Sequence, residues 1–226
     1  TAQIDEARLP TPSSNSVTGM KKKRSPPSIL SSCFSINSWL HQTPSVEEAR
    51  PSRCPDCDEP SRPVGAPLNI HGHGQRERQV RGPLEPDGLP VQVVLTLRRY
   101  LCQRCGATMT VGPKGLLPGL LFSAAAVALA LCLWALDKLC QAQVHGQVNP
   151  WRRAAEQARA PWRQLVRWAQ GIAAGRLWPE LVPGPPPPCR RLVAQRAAAA
   201  LAARSPPHLG TAPLRQQVFL GAALAS

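Results

Sequence analysis

The chain runs to 226 residues, enough for one large core or two small ones, and carries 27 Lys and Arg against 13 Asp and Glu, a net charge of +14. That balance points to an anionic partner and argues against a cationic substrate; because Arg supplies 22 of the positive charges, it leans toward phosphates and base edges. With 26 Pro and 16 Gly, about a fifth of the chain breaks regular structure, which favours short elements gathered in compact islands.

Residues 1–50 are rich in Ser, Pro and Asn, show no sustained periodicity and read as disordered. Lys21, Lys22, Lys23 and Arg24 form a charge run of the solvated kind. A Ser-Pro-Pro stretch follows it instead of an apolar signal segment, so a cytoplasmic location is expected. From residue 53 to 115 the texture changes to Cys pairs, turn residues and one clear strand over 91–100. Val91, Val93, Leu95, Leu97 and Arg99 lie on one side of that strand, and Gln92, Val94, Thr96, Arg98 and Tyr100 on the other. A weaker strand over 68–80 pairs with it through Gly82-Pro83 and Pro86-Asp87-Gly88, giving a small antiparallel sheet.

Residues 115–136 carry no charge. Pro118-Gly119 interrupts the run and leaves 120–136, which is Ala-rich and near the lower length limit for a membrane span. Ser123 is a natural N-cap for a helix starting at Ala124, so a buried helix is the preferred reading and a single span over about 120–136 the alternative. Asn149-Pro150 opens a helix over 151–159. Pro161 opens another, with Trp162, Leu165, Val166, Ala169 and Ile172 on one face and Arg163, Gln164, Arg167 and Gln170 largely on the opposite one, closed by Gly175 and Pro179. Trp151, Trp162, Trp168 and Trp178 read as core residues before stacking platforms. Residues 183–226 read as a Pro-, Ala- and Arg-rich tail with one marginal helix.

The chemistry concentrates in two Cys-X2-Cys pairs, Cys54-Pro55-Asp56-Cys57 and Cys102-Gln103-Arg104-Cys105, the second followed by Gly106. A two-residue gap lets one tight turn aim both thiolates at a tetrahedral ion, and two such turns make a closed four-thiolate Zn²⁺ site. The predicted strands occupy the long interval between the pairs, and a hairpin insertion lengthens that loop without moving the ligands. Three competing chemistries differ in what they need. Disulfides require an oxidising compartment, a redox dithiol requires only one pair, and an iron cluster is the other metal that four thiolates hold. His71 and His73, alternating in His71-Gly72-His73-Gly74, share a strand face and read as surface residues while all four Cys are present.

Cys-Pro-X-Cys, then His-Gly-X-Gly followed by Arg76-Glu77-Arg78-Gln79-Val80, then a strand ending in Leu97-Arg98-Arg99-Tyr100-Leu101-Cys102-Gln103-Arg104-Cys105-Gly106, resembles the N-terminal zinc ribbon of bacterial insertion-sequence transposases. It is closer still to a related bacterial family of uncharacterised zinc-ribbon domains. The resemblance covers roughly residues 53–180 and implies Cys54, Cys57, Cys102 and Cys105 as zinc ligands. It also implies a helix-turn-helix after the ribbon, the two together binding DNA, with catalysis in a later acidic domain that has no counterpart here. The expected architecture is a small α+β fold. Residues 51–115 form a β-rich zinc ribbon and 116–182 a helical, helix-turn-helix-like domain, between disordered termini at 1–50 and 183–226.

Charge supports the same partner independently. Residues 138–226 hold Lys138 and eleven Arg against Glu156 and Glu180, a net of +10. Arg159, Arg163 and Arg167 recur every fourth residue; with Arg152 and Arg153 they are candidate phosphate contacts, and Gln164 or Gln170 a candidate base contact. Only Asp137, Glu156 and Glu180 lie beyond residue 100, too few carboxylates for a two-metal nuclease or transposase centre. The expected function is therefore DNA binding by a zinc-stabilised, non-enzymatic protein with no small-molecule substrate. A zinc-ribbon protein-interaction module and the single-span membrane protein are the alternatives.

Overall fold

The computed structural model describes residues 29–151, 161–181 and 188–226. Among them the chain forms β1 (Ile29–Ser31), α1 (Ile36–His41), β2 (Ile70–Gly82), β3 (Val91–Cys102), β4 (Thr108–Gly112), α2 (Ala124–Ala135), α3 (Gln141–Val148), α4 (Arg163–Ala173), α5 (Arg190–Ala202) and α6 (Leu214–Leu224), an α+β fold. The strands make one sheet in the order β1-β4-β3-β2. β2–β3 is antiparallel as expected; β4, which was not expected, pairs antiparallel with β3, and β1 runs parallel to β4, so the sheet is mixed.

The alternation read in β3 is real, and both of its sides are covered from Leu95 onward. Leu95 and Leu97 are buried on one face. On the other, the Tyr100 hydroxyl donates to the Val46 carbonyl and Arg98 Nε to the Pro44 carbonyl, each at 2.8 Å, so segment 44–50 lies across that side. This corrects the expectation of disorder through residue 50. Residues 29–50 supply β1, the capped helix α1 and two core side chains, Trp39 and Ala49. Ser35 and Ser38 cap α1 reciprocally, each Oγ accepting the other's amide at 3.1 Å. Trp39 Nε1 donates to the Thr96 carbonyl at 2.9 Å and fixes the helix to β3.

Beyond the sheet a second core is built around α2, all twelve of whose residues are buried. A helix with no polar face must be enclosed on every side, and α3, α4, α5 and α6 all pack against it. Ser123 caps it as expected, its Oγ accepting the Ala126 amide at 3.1 Å. At 1.5 Å per residue α2 is about 18 Å long, against the ~30 Å of a bilayer core. Among the described residues no helix is long and apolar enough to cross a membrane.

Trp162 and Trp168 meet Phe122 edge to face, with ring centroids 6.0 and 5.1 Å away, and Trp178 is buried as well; only Trp151 stands exposed. The tail reading needs a second correction. α5 and α6 pack on α2 and on each other, so residues 190–224 belong to the helical core. Ala194, Ala197, Ala198 and Ala202 form much of the buried face of α5, where small side chains permit close approach in place of bulk. The helix expected over 151–159 lies, but for Trp151, outside the described residues.

Sheet and helices are joined where β2 ends. Arg78 donates to the Leu117 and Leu120 carbonyls at 2.7 Å, and the Arg81 amide to the Leu121 carbonyl at 2.8 Å. Gly82 has φ +117°, and a Cβ there would sit 2.2 Å from the Ala126 Cβ on α2. Gly82→Ala is therefore expected to cost roughly 2–4 kcal/mol, combining a disallowed backbone with overpacking. Urea unfolding of the two proteins reads this directly, and an unchanged midpoint would refute the close approach.

Candidate metal centre

Two turns of the same design carry the four cysteines. In the first, the Cys54 amide donates to the Glu59 carbonyl and the Asp58 amide to the Cys54 carbonyl, both at 2.9 Å. In the second, the Cys102 amide donates to the Ala107 carbonyl and the Gly106 amide to the Cys102 carbonyl, again both at 2.9 Å. The residue four places after the leading Cys is left-handed in each: Asp58 at φ 56° and Gly106 at φ 71°. Gly takes that conformation freely, and Asp is among the few side chains that tolerate it.

The sheet brings these turns together. The second turn is the β3–β4 connection, since β3 ends at Cys102 and β4 begins at Thr108. Pairing of Ile70 with Cys102 returns the start of β2 to that point, and with it the first turn just upstream. The hairpin thus absorbs the long interval between the Cys pairs without displacing either.

The sulfurs of Cys54, Cys57, Cys102 and Cys105 all lie within 4.8 Å of one another. Cys54 Sγ is 3.6 Å from Cys105 Sγ, and Cys57 Sγ 3.7 Å from Cys102 Sγ. A tetrahedral ion with metal–sulfur bonds near 2.3 Å requires ligand edges of about 3.8 Å, so the four donors are positioned to hold a metal ion. None of them is disulfide-bonded, and all eight cysteines of the chain are free. Cys54 and Cys102 are buried, Cys57 half-buried and Cys105 exposed, which sets the centre at the edge of the sheet's core.

Electrostatics also favour a cation. Burial pushes the Cys54 thiol up, and burial with crowding by the other three thiols pushes Cys105 up to about 12. Burial acts the same way on Cys102, but the Cys105 and Arg104 amides and neighbouring thiols outweigh it and bring that thiol below its ordinary value. Four sulfurs this close do not all ionise together unless a positive ion compensates them.

The remaining predicted residues are placed as follows. His71 Nε2 is 2.7 Å from the Leu68 carbonyl, and His73 lies at the irregularity in β2 between Gly72 and Gln75; both are exposed and neither joins the sulfurs. Arg163 and Arg167 are exposed on α4, Gln164 is half-buried and Gln170 exposed, while Leu165, Trp168, Ala169 and Ile172 hold the helix to the core. Arg152, Arg153 and Arg159 lie outside the described residues. In the helical part, Asp137 pairs with Arg215 at 2.6 Å and Glu180 with Arg204 at 3.0 Å. Among the described residues Arg163 and Arg167 are in no ion pair. Asn69, between the two Cys turns, is the site residue to which no motif in the sequence points. Comparison of the chain with protein-family models, curated proteins and solved structures finds no match.

Proposed function

We propose that this protein binds duplex DNA through a basic helical face while a structural zinc ion folds the module that precedes it, in the manner of the zinc-ribbon and helix-turn-helix head of insertion-sequence transposases. Thiolates are soft donors, and tetrahedral four-sulfur spacing favours zinc over hard, octahedral cations. Four protein ligands leave no open coordination position, so the ion stabilises the fold and activates no water. Free thiols held for a metal fit a reducing compartment such as the cytoplasm.

The observation that carries the DNA reading is the outward face of α4. Arg163 and Arg167 stand one turn apart and exposed, free of carboxylates among the described residues, with Gln170 exposed along the same helix. The opposite face is anchored by Trp168 and its neighbours, which gives a rigid helix presenting cations outward, as a major-groove reader requires. Phosphate contacts by Arg supply most of the affinity, and Gln170 is better exposed than Gln164 for a base edge.

Counterion release makes this testable. Each neutralised phosphate contributes about −0.9 to the slope of log affinity against log salt. Arg163 and Arg167 alone therefore predict a loss of at least about tenfold between 50 and 200 mM salt. Anisotropy of a labelled duplex with the full chain measures it; a flat curve would overturn the DNA reading and favour a protein partner.

A further inference from the structure

We propose that Asn69 is the positioning residue of the metal centre, a single side chain that ties the two thiolate turns together and sets how tightly the ion is held. The inference rests on the metal reading above and adds to it a residue that touches neither the ion nor the DNA-facing helix.

Asn69 precedes β2 and is half-buried between the turns. Toward the first turn, its amide donates to the Ser61 carbonyl at 2.9 Å and its Nδ2 to the Pro60 carbonyl at 3.3 Å. Toward the second, its carbonyl accepts the Gln103 amide at 2.8 Å and its Oδ1 the Arg104 amide at 3.2 Å. Gln103 and Arg104 are the two residues between Cys102 and Cys105, so these bonds hold the second chelate loop itself. The Asn amide carries a donor for one turn and an acceptor for the other on a single short side chain; Asp lacks the donor, and Ala lacks both groups. The one ion pair that joins the turns, Arg104 with Glu59, has its arginine in solvent and is correspondingly weak.

Ligands far apart in sequence must otherwise be gathered at the ion's expense, and an outer tie that gathers them beforehand raises metal affinity. Asn69→Ala is expected to weaken metal retention by about 10- to 100-fold, and Asn69→Asp, which keeps the acceptor for the Arg104 amide, by less.

The experiment loads the full chain with Co²⁺, confirms four-sulfur ligation from its absorption bands, and titrates the ion out with a chelator. The wild-type chain, Asn69→Ala, Asn69→Asp and Leu201→Ala are compared. The last loses stability in the helical core, where Leu201 is buried and none of the four sulfurs lies. The proposal expects both Asn69 variants to release cobalt more readily while Leu201→Ala retains it like the wild-type chain. Wild-type retention in Asn69→Ala would overturn the positioning role, and so would equal weakening in Asn69→Ala and Leu201→Ala. If the wild-type chain shows no four-sulfur cobalt spectrum, the metal reading itself fails and takes this role with it.

Discussion

Cys102→Ser is expected to release the metal and unfold the sheet, while the helices built around α2 keep their signal. Cys102 is fully buried at the end of β3, so its loss removes a ligand at the point where strand pairing and metal binding meet. Serine offers a hard, protonated oxygen in place of a thiolate, a poor substitute at a four-sulfur site. Metal binding in four-thiolate sites of this kind is folding free energy, on the order of 10–16 kcal/mol for small zinc modules.

The sheet's own buried cluster is small, with Trp39, Ile70, Leu95, Leu97 and Tyr100 as its largest members. Each contributes roughly 1.5–3 kcal/mol by burial, against a backbone entropy of similar total size. The helical cluster contains none of the four ligands and has far more buried apolar residues. Far-ultraviolet circular dichroism together with limited proteolysis therefore separates the two parts: cleavage moves into residues 53–115 while the helical signal persists. Cys132→Ser is the matched control. Burial in α2 pushes that thiol up to about 11, so it stays protonated at neutral pH and its replacement leaves the metal in place. A Cys102→Ser chain that retained its metal and protease resistance would contradict the account.

The double replacement Arg163→Glu and Arg167→Glu is expected to lower DNA affinity on the order of 100-fold near physiological salt and to flatten the salt slope by about 1.8. Both side chains are exposed, so neither change opens a cavity. Arg163 is the first residue of α4, where a carboxylate is favoured by the helix dipole, so the helix is not weakened at its start. Spacing of four residues replaces one like-charge pair with another, which leaves the local electrostatic balance of the helix nearly as before. Lost affinity with an unchanged thermal midpoint then reports on phosphate contact alone. Unchanged affinity would remove α4 from the interface.

What could be read from the sequence follows from where local pattern and tertiary role coincide. β3 was legible because its alternation is strict, and the two Cys turns because chelation demands a short fixed gap. α4 was legible because its polar and apolar residues segregate cleanly around the helix. β1 was not, since three residues hold no period and their partners in β4 are 81 residues away. Ile36 and Trp39 of α1 lie among Ser and Asn, a composition that resembles disordered chain until a sheet is present to bury them. α5 was undervalued for a different reason. Its buried face is mostly Ala, which gives little contrast with its surroundings and acquires meaning only when close packing on α2 is seen.

At the candidate metal centre, the four sulfur donors were legible and their support was not. Asp58 takes at its turn the left-handed position that Gly106 takes at the other, an equivalence that appears only in backbone angles. Asn69 acts through hydrogen bonds to main-chain groups of two distant turns, which leave no spacing rule in the sequence.

The most direct test of the claim that a metal holds this fold together is native mass spectrometry of the full chain as purified, before and after chelation. One zinc ion per chain is expected, with its removal shifting the protein to the highly charged ions of an expanded state, and zinc alone restoring the compact one. A metal-free chain that gives the same narrow, compact charge distribution, unaltered by chelator or added zinc, would contradict it.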